Sequence, residues 1–217
     1  MREKRRVRRG DDPESLAGRD LRWHTRAMTG QDQFRDAAIG WAVRNDEDAR
    51  AAMERLAQPR AIILVEGVSD VVAVDIAARR LGREGVCVIP MGGVTNVRRF
   101  ASALHPFGLP ISGLCDVGER RYFERALSEF SVCVQDLEDE FIRALGTERT
   151  EQLLDDNGDL ATFRTFQNQP AQRGRPVEAQ LRRFFGTTAG RKERYATIFM
   201  ERLEGIPKPL VEVVTGE

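Results

Sequence analysis

The chain has 217 residues, 41% of them hydrophobic and 31% charged, which is globular composition and long enough to bury a core without disulfide or metal staples. Thirty-four basic and thirty-four acidic side chains cancel, so net charge alone calls for no polyanion partner. No apolar run approaches the roughly 20 residues that span a bilayer, and the basic start MREKRRVRRG lacks the apolar stretch of a signal peptide, so a cytoplasmic protein without a membrane partner is expected.

In chain order, residues 1 to about 18 are polar and charged and read as a disordered basic tail. From 31 to 57, Phe34, Ala37, Ala38, Trp41 and Ala42 recur at helical spacing, and Ala49, Ala52, Met53 and Leu56 repeat it. Asn45 and Asp46 stand between the two runs as caps, and Gln58-Pro59 ends the second. Trp23, Phe34 and Trp41 suit packing on the following domain or on a partner.

The character then changes. Ala61 to Val65 is a short continuous apolar run between Pro59 and Gly67, the mark of a strand buried on both faces. A helix follows with Val71, Val72, Ile76, Ala77 and Leu81 inward and Ser69 able to cap it. Val86 to Ile89 gives a second strand, and Gly92-Gly93 a turn. A helix through Val94, Val97, Phe100 and Leu104 leads to a third strand, Ile111 to Cys115. A helix through Phe123 and Leu127 leads to a fourth strand, Ser131 to Val134. Alternating strands and helices imply a parallel sheet covered on both faces. Beyond Asp136 helices are expected near 136–145, 147–155, 177–185, 191–203 and 208–214, with polar connections near 156–159 and 167–176. The divisions are a tail (1–18), an N-terminal helical segment (19–59), an α/β core (60–135) and a C-terminal helical extension (136–217).

Sites in open α/β sheets form outside the carboxyl ends of the strands. Glu66 and Asp70 follow the first strand, Gly92-Gly93 the second, Asp116 and Glu119 the third, and Asp136, Glu138, Asp139 and Glu140 the fourth. Acids gathered at one sheet edge repel unless a cation sits between them, and hard oxygen ligands suit magnesium or manganese. The spacing from Glu66 to Asp70 lets both face one ion. His24 and His105 are poorly placed for zinc, and Cys87, Cys115 and Cys133 sit in apolar runs with no CxxC pair, so they read as buried free thiols. The bland alternatives are that Asp70 serves a helix N-terminus and that the acids of 136–140 form an exposed helix face.

These residues resemble a family. Ile62 to about Val134 looks like a TOPRIM domain, whose pattern is a Glu after strand one, a Gly-rich turn after strand two and an Asp motif after strand three. Here these are Val65-Glu66-Gly67, Gly92-Gly93 and Leu114-Cys115-Asp116. More narrowly the chain is similar to the overcoming-lysogenization-defect (OLD) nucleases over about 60–215, through Val65-Glu66-Gly67-Val68-Ser69-Asp70, through Asp136-Leu137-Glu138, and through a lysine in the C-terminal helices, matched by Lys192. It departs where the usual DxD reads Asp116-Val117-Gly118; Glu119 is the candidate for the missing oxygen. It also has no GxxxxGK[ST], so the expectation is a free-standing unit without the ABC-type ATPase, working alone or with an ATPase in trans.

The resemblance implies a DNA nuclease using two Mg²⁺ or Mn²⁺ ions roughly 4 Å apart. Glu66, Asp116 and Lys192 would be catalytic, and Glu66, Asp70, Asp116, Glu119 and Glu138 would hold metal, with Asp136 a weaker candidate. Phosphate contacts are expected from Gly92, Gly93, Arg98, Arg120 and Arg191, and also from Arg99 and Arg121. The competing readings are a nucleic-acid-binding module without catalysis, a subunit awaiting an ATPase, and a receiver-like domain, which the VEGxSD segment and the helical tail fit poorly.

Overall fold

A computed structural model describes residues 29–188 and 190–216; the expected disordered tail, Trp23 and the start of the N-terminal helical segment lie outside the described residues. Four strands, β1 (Ala61–Val65), β2 (Val86–Pro90), β3 (Ile111–Asp116) and β4 (Ser131–Cys133), form an all-parallel sheet in the order β2-β1-β3-β4. The register sets Ile63 beside Val88, Leu64 beside Gly113 and Asp116 beside Cys133. Because β1 is central, both its faces are covered: Ile62 and Leu64 enter one core, Ile63 and Val65 the other, and none is more than 1% exposed.

On the first face lie α1 (Gly30–Arg44), α2 (Glu47–Arg55), α4 (Val97–Leu104) and α5 (Arg120–Glu124). They bring Phe34, Met53, Phe100 and Phe123 onto the sheet, so the N-terminal aromatics pack on the core domain. The Trp41 Nε1–H donates to the Ala103 carbonyl at 3.1 Å. Asn45 ends α1 in the left-handed conformation and Asp46 caps α2 through the Asp48 and Ala49 N–H groups, which divides the two helices as their pattern required. Where α5 crosses β3 there is room only for glycine: a Cβ on Gly113 would lie 2.4 Å from the Phe123 ring.

On the second face lie α3 (Val68–Arg80) and a helical half made of α6 (Leu137–Leu145), α7 (Thr147–Asp156), α8 (Leu160–Gln167), α9 (Val177–Phe185), α10 (Arg191–Arg202) and α11 (Lys208–Thr215). One hydrophobic cluster runs from Ile63 to Val214, so the division at 135/136 separates chain segments and not cores. Aromatic rings fill it: Phe141 stacks on Phe199 at 5.0 Å and Phe163 meets Phe184 edge-on at 5.2 Å. The helix α8 goes beyond the sequence expectation. It is only eight residues long and held by buried Phe163 and Phe166, which is a tertiary effect rather than a propensity. The three cysteines are free and buried, and burial pushes their thiols up, so they are inert. Among the described residues no helix is long and apolar enough to cross a membrane.

Candidate functional site

The strand ends converge on a cleft of about 380 Å³. β1 runs out at Val65, Glu66 follows, and α3 begins at Val68, so Ser69 lies inside the first turn instead of capping it. Gly67 has no side chain to cap with, and one arm of a capping box forms: Asp70 Oδ2 accepts from the Gly67 N–H at 2.9 Å. After β2 the chain turns through Gly92 (φ 69°) and Gly93 (φ 127°), where side chains are strained although space is open. That turn is stitched to β1, the Met91 and Gly92 N–H groups donating to the Val65 and Glu66 carbonyls. β3 ends on Asp116, and the tight turn Val117-Gly118 returns Glu119 to its side, the Glu119 N–H donating to the Asp116 carbonyl at 2.9 Å. From further along the chain, α6 delivers Glu138 and α10 delivers Lys192 in their first turns.

Glu66, Asp116 and Glu119 each place a carboxylate oxygen within 4.8 Å of the others. Glu119 Oε2 is buried and has no hydrogen-bond partner among the described residues. Burial, followed by Asp136, Glu119, Asp70 and Glu138, pushes the Asp116 carboxyl up to about 8. Burial and the neighbouring Glu66 push Glu119 up to about 7. Burial likewise pushes Asp70 up to about 7, against the pull of the Gly67 N–H. Glu138 is raised by burial and partly relieved by Lys192, whose Nζ sits 2.9 Å from its Oε2. Burial opposes the charge on Lys192, but Glu138, Asp136 and Asp70 outweigh it and raise its pKa. Among the described residues of the cleft, five acids thus share one lysine, a balance that a divalent cation would correct. Three converging carboxylates with a partnerless buried oxygen fit such an ion, and an all-oxygen donor set suits a hard one.

The structure brings Glu66, Asp70, Gly92, Gly93, Asp116, Glu119, Glu138 and Lys192 into one cleft. It does not bring Arg98, Arg120 or Arg191 there. Arg98 lines a separate hollow. Arg120 pairs with Glu124 at 2.8 Å in solvent. Arg191 lies over the Phe184 ring, 4.1 Å from its centroid, and donates to Thr187 Oγ1 at 2.6 Å. Arg99 donates to the Val43 carbonyl and Arg121 lies over the Tyr122 ring, so neither lines the cleft. Asp136 acts as the N-cap of α6 through the Asp139 N–H at 2.9 Å. Asp139 and Glu140 are buried, not an exposed face: both pair with Arg143, and Glu140 Oε1 accepts from the Val134 N–H at 2.7 Å. The sequence reading missed Asp159, outside the cleft. It accepts from the Tyr195 hydroxyl at 2.6 Å and from Arg194 at 3.2 Å, fixing the first turn of α10 from which Lys192 projects. No local signal marks it, since its side-chain partners are 32 or more residues away.

Residues 59–117 match the sequence family described as overcoming lysogenization defect protein-like, TOPRIM domain. No curated protein sequence matches the chain. Among solved structures, the C-terminal region of the Burkholderia pseudomallei OLD protein superposes with a TM-score of 0.52 at 15% identity, over 74% of this chain and 97% of that one. The C-terminal region of the Xanthomonas campestris pv. campestris OLD protein does so with a TM-score of 0.50 at 19% identity, over 72% and 93%. Covering 72–74% of this chain, these likenesses extend the shared fold past residue 117. At residues 59–117, which hold Glu66, Asp70, the glycine turn and Asp116, the chain carries a TOPRIM domain of the OLD type.

Proposed function

We propose that the protein is a divalent-metal-dependent phosphodiester hydrolase that nicks or cuts DNA. The observation that carries this reading is the convergence of Glu66, Asp116 and Glu119 within 4.8 Å around a buried, partnerless Glu119 oxygen. Magnesium or manganese held there would supply charge stabilisation at the scissile phosphate and an activated water. Glu66, Asp116 and Glu119 would hold it, and Asp70 and Glu138, which line the same cleft, would be donors for a second ion. Gly92 and Gly93 leave that wall without side chains, so a phosphate can approach the backbone. Lys192, half exposed and steered by Glu138, is placed to neutralise charge on the phosphate oxygens.

A second reading, a binding module without catalysis, is favoured by Gly118: the usual second aspartate is replaced, and the space a Cβ would take is open. The two separate in a nicking assay on supercoiled plasmid with Mg²⁺, Mn²⁺ or EDTA, using wild type and Glu66→Gln. The hydrolase reading expects metal-dependent nicking that falls at least about 10²-fold in the variant. A folded wild type that cuts with neither metal rejects hydrolysis by the chain alone and favours the binding module or a subunit that needs an ATPase.

A further inference from the structure

A second polar hollow, of about 420 Å³, lies between α4 and the turn joining α5 to β4. Arg98, Ser102 and His105 stand at positions i, i+4 and i+7 of one helical face, and Arg125 and Ser128 line the opposite wall. None of these five side chains has a hydrogen bond or ion pair among the described residues. No acid among the described residues lines the hollow, in a molecule where most arginines are paired with carboxylates or carbonyls. Its floor is apolar, from Ile111 and Leu127, and among the described residues it offers no Phe, Tyr or Trp on which a base could stack.

The hollow opens at the other end of β3 from the acidic cleft, Ile111 standing about 16 Å along the strand from Asp116, and α4 and α5 run down to it from the cleft's loops. The Gly92-Gly93 turn leads through a single 3₁₀ turn into α4, and α5 starts directly after Glu119. From Arg98 to His105 the helix advances about 10 Å. That is too long for one phosphate and suits successive phosphates of a chain. We infer that this hollow is a nucleic-acid backbone site, holding the strand a few phosphates away from the one that the cleft would take. The inference deepens the hydrolase reading and rests on it for the identity of the polyanion. Contacts of this kind position a strand without reading its sequence.

The test is fluorescence anisotropy of the full chain with a labelled 20-nucleotide single strand and the corresponding duplex, in EDTA, across a salt series. Arg98→Ala/Arg125→Ala is compared with Arg149→Ala/Arg173→Ala, an exposed pair elsewhere that removes the same charge. Glu66→Gln serves as a binding-competent reference. The expected result is a roughly tenfold or greater loss of affinity for the first pair only, with the slope of log affinity against log salt shallower by about 2 on duplex. Unchanged affinity and slope in Arg98→Ala/Arg125→Ala overturns the site, as does a wild type that binds neither DNA. Displacement of the label by stoichiometric ATP or inorganic pyrophosphate overturns it in favour of a free-nucleotide pocket. If the pair weakens binding while wild type never nicks plasmid, the hollow stands and the hydrolase reading fails. If wild type nicks and the pair binds undiminished, the hydrolase reading stands and the hollow fails.

Discussion

Replacing Asp116 by asparagine should make the metal-free protein more stable while removing its response to metal. Burial and four neighbouring acids push this carboxyl up to about 8 from an ordinary 3.8. At pH 7 the folded protein must therefore keep a proton there that the unfolded chain releases. Three pH units between the ordinary pKa and pH 7 correspond to about 4 kcal/mol. Asp116 is only partly buried, and solvent screening reduces this to about 1–2 kcal/mol. Asparagine has the same shape and nothing to ionise, so Asp116→Asn should melt about 2–8 °C above wild type in EDTA at pH 7. The sign follows from linkage. The folded state binds the extra proton between about pH 4 and 8, so wild type loses stability as pH rises through that window, and the two proteins converge near pH 4. Adding Mg²⁺ or Mn²⁺ should stabilise wild type by about 2.7 kcal/mol at a hundred times the dissociation constant, and the variant much less. Scanning calorimetry at pH 4 and 7, with and without metal, reads all of this. A variant that melts below wild type in EDTA at pH 7 would show that Asp116 is not a repelled, partly desolvated acid. Equal metal stabilisation of both proteins would show that it is not a ligand.

Two further substitutions probe what positions the site. Gly113→Ala should cost about 1–3 kcal/mol and several degrees of melting temperature, because its Cβ meets Phe123 at 2.4 Å and Leu127 at 3.0 Å while Phe123 is fully buried; an unchanged melting curve would deny that close approach. Asp159→Ala should cost about 1–3 kcal/mol by stranding the buried Tyr195 hydroxyl, and should also lower plasmid nicking although Asp159 lies outside the cleft. Asp159→Asn, which keeps an acceptor, should restore part of the nicking, whereas Asp156→Ala, freeing the exposed Arg202 and Gln152 side chains, should leave it unchanged.

What could be read from the sequence follows from how local each determinant is. The β1 run, its flanking Pro59 and Gly67, and the acids after β1 and β3 are local patterns, and a parallel sheet sends every strand end to the same edge. The arginines lie outside the cleft because adjacency along a helix is not adjacency in space. One residue is a rotation of about 100°. Lys192 points to Glu138, while Arg191 beside it lies on Phe184. Arg120 follows Glu119 but starts α5, and its partner is Glu124 one turn on. The burial of Asp139 and Glu140 was equally invisible, since it depends on Arg143 and on the Val134 N–H at the end of β4.

The helical half of the chain has its own place in the chemistry. Among the described residues, the strand ends contribute acids and no cation to the cleft. Lys192, the one cation of the cleft among the described residues, lies 54 residues from the glutamate it pairs with, and both stand in first turns of helices packed through Phe141 and Phe199. The helix bearing Lys192 also packs along α3, which carries Asp70. Loosening that aromatic core would therefore move the lysine relative to the carboxylates without touching any residue of the cleft. In the proposed hydrolase, the sheet edge would set where an ion is held, and the helices whether its charge is matched at the phosphate.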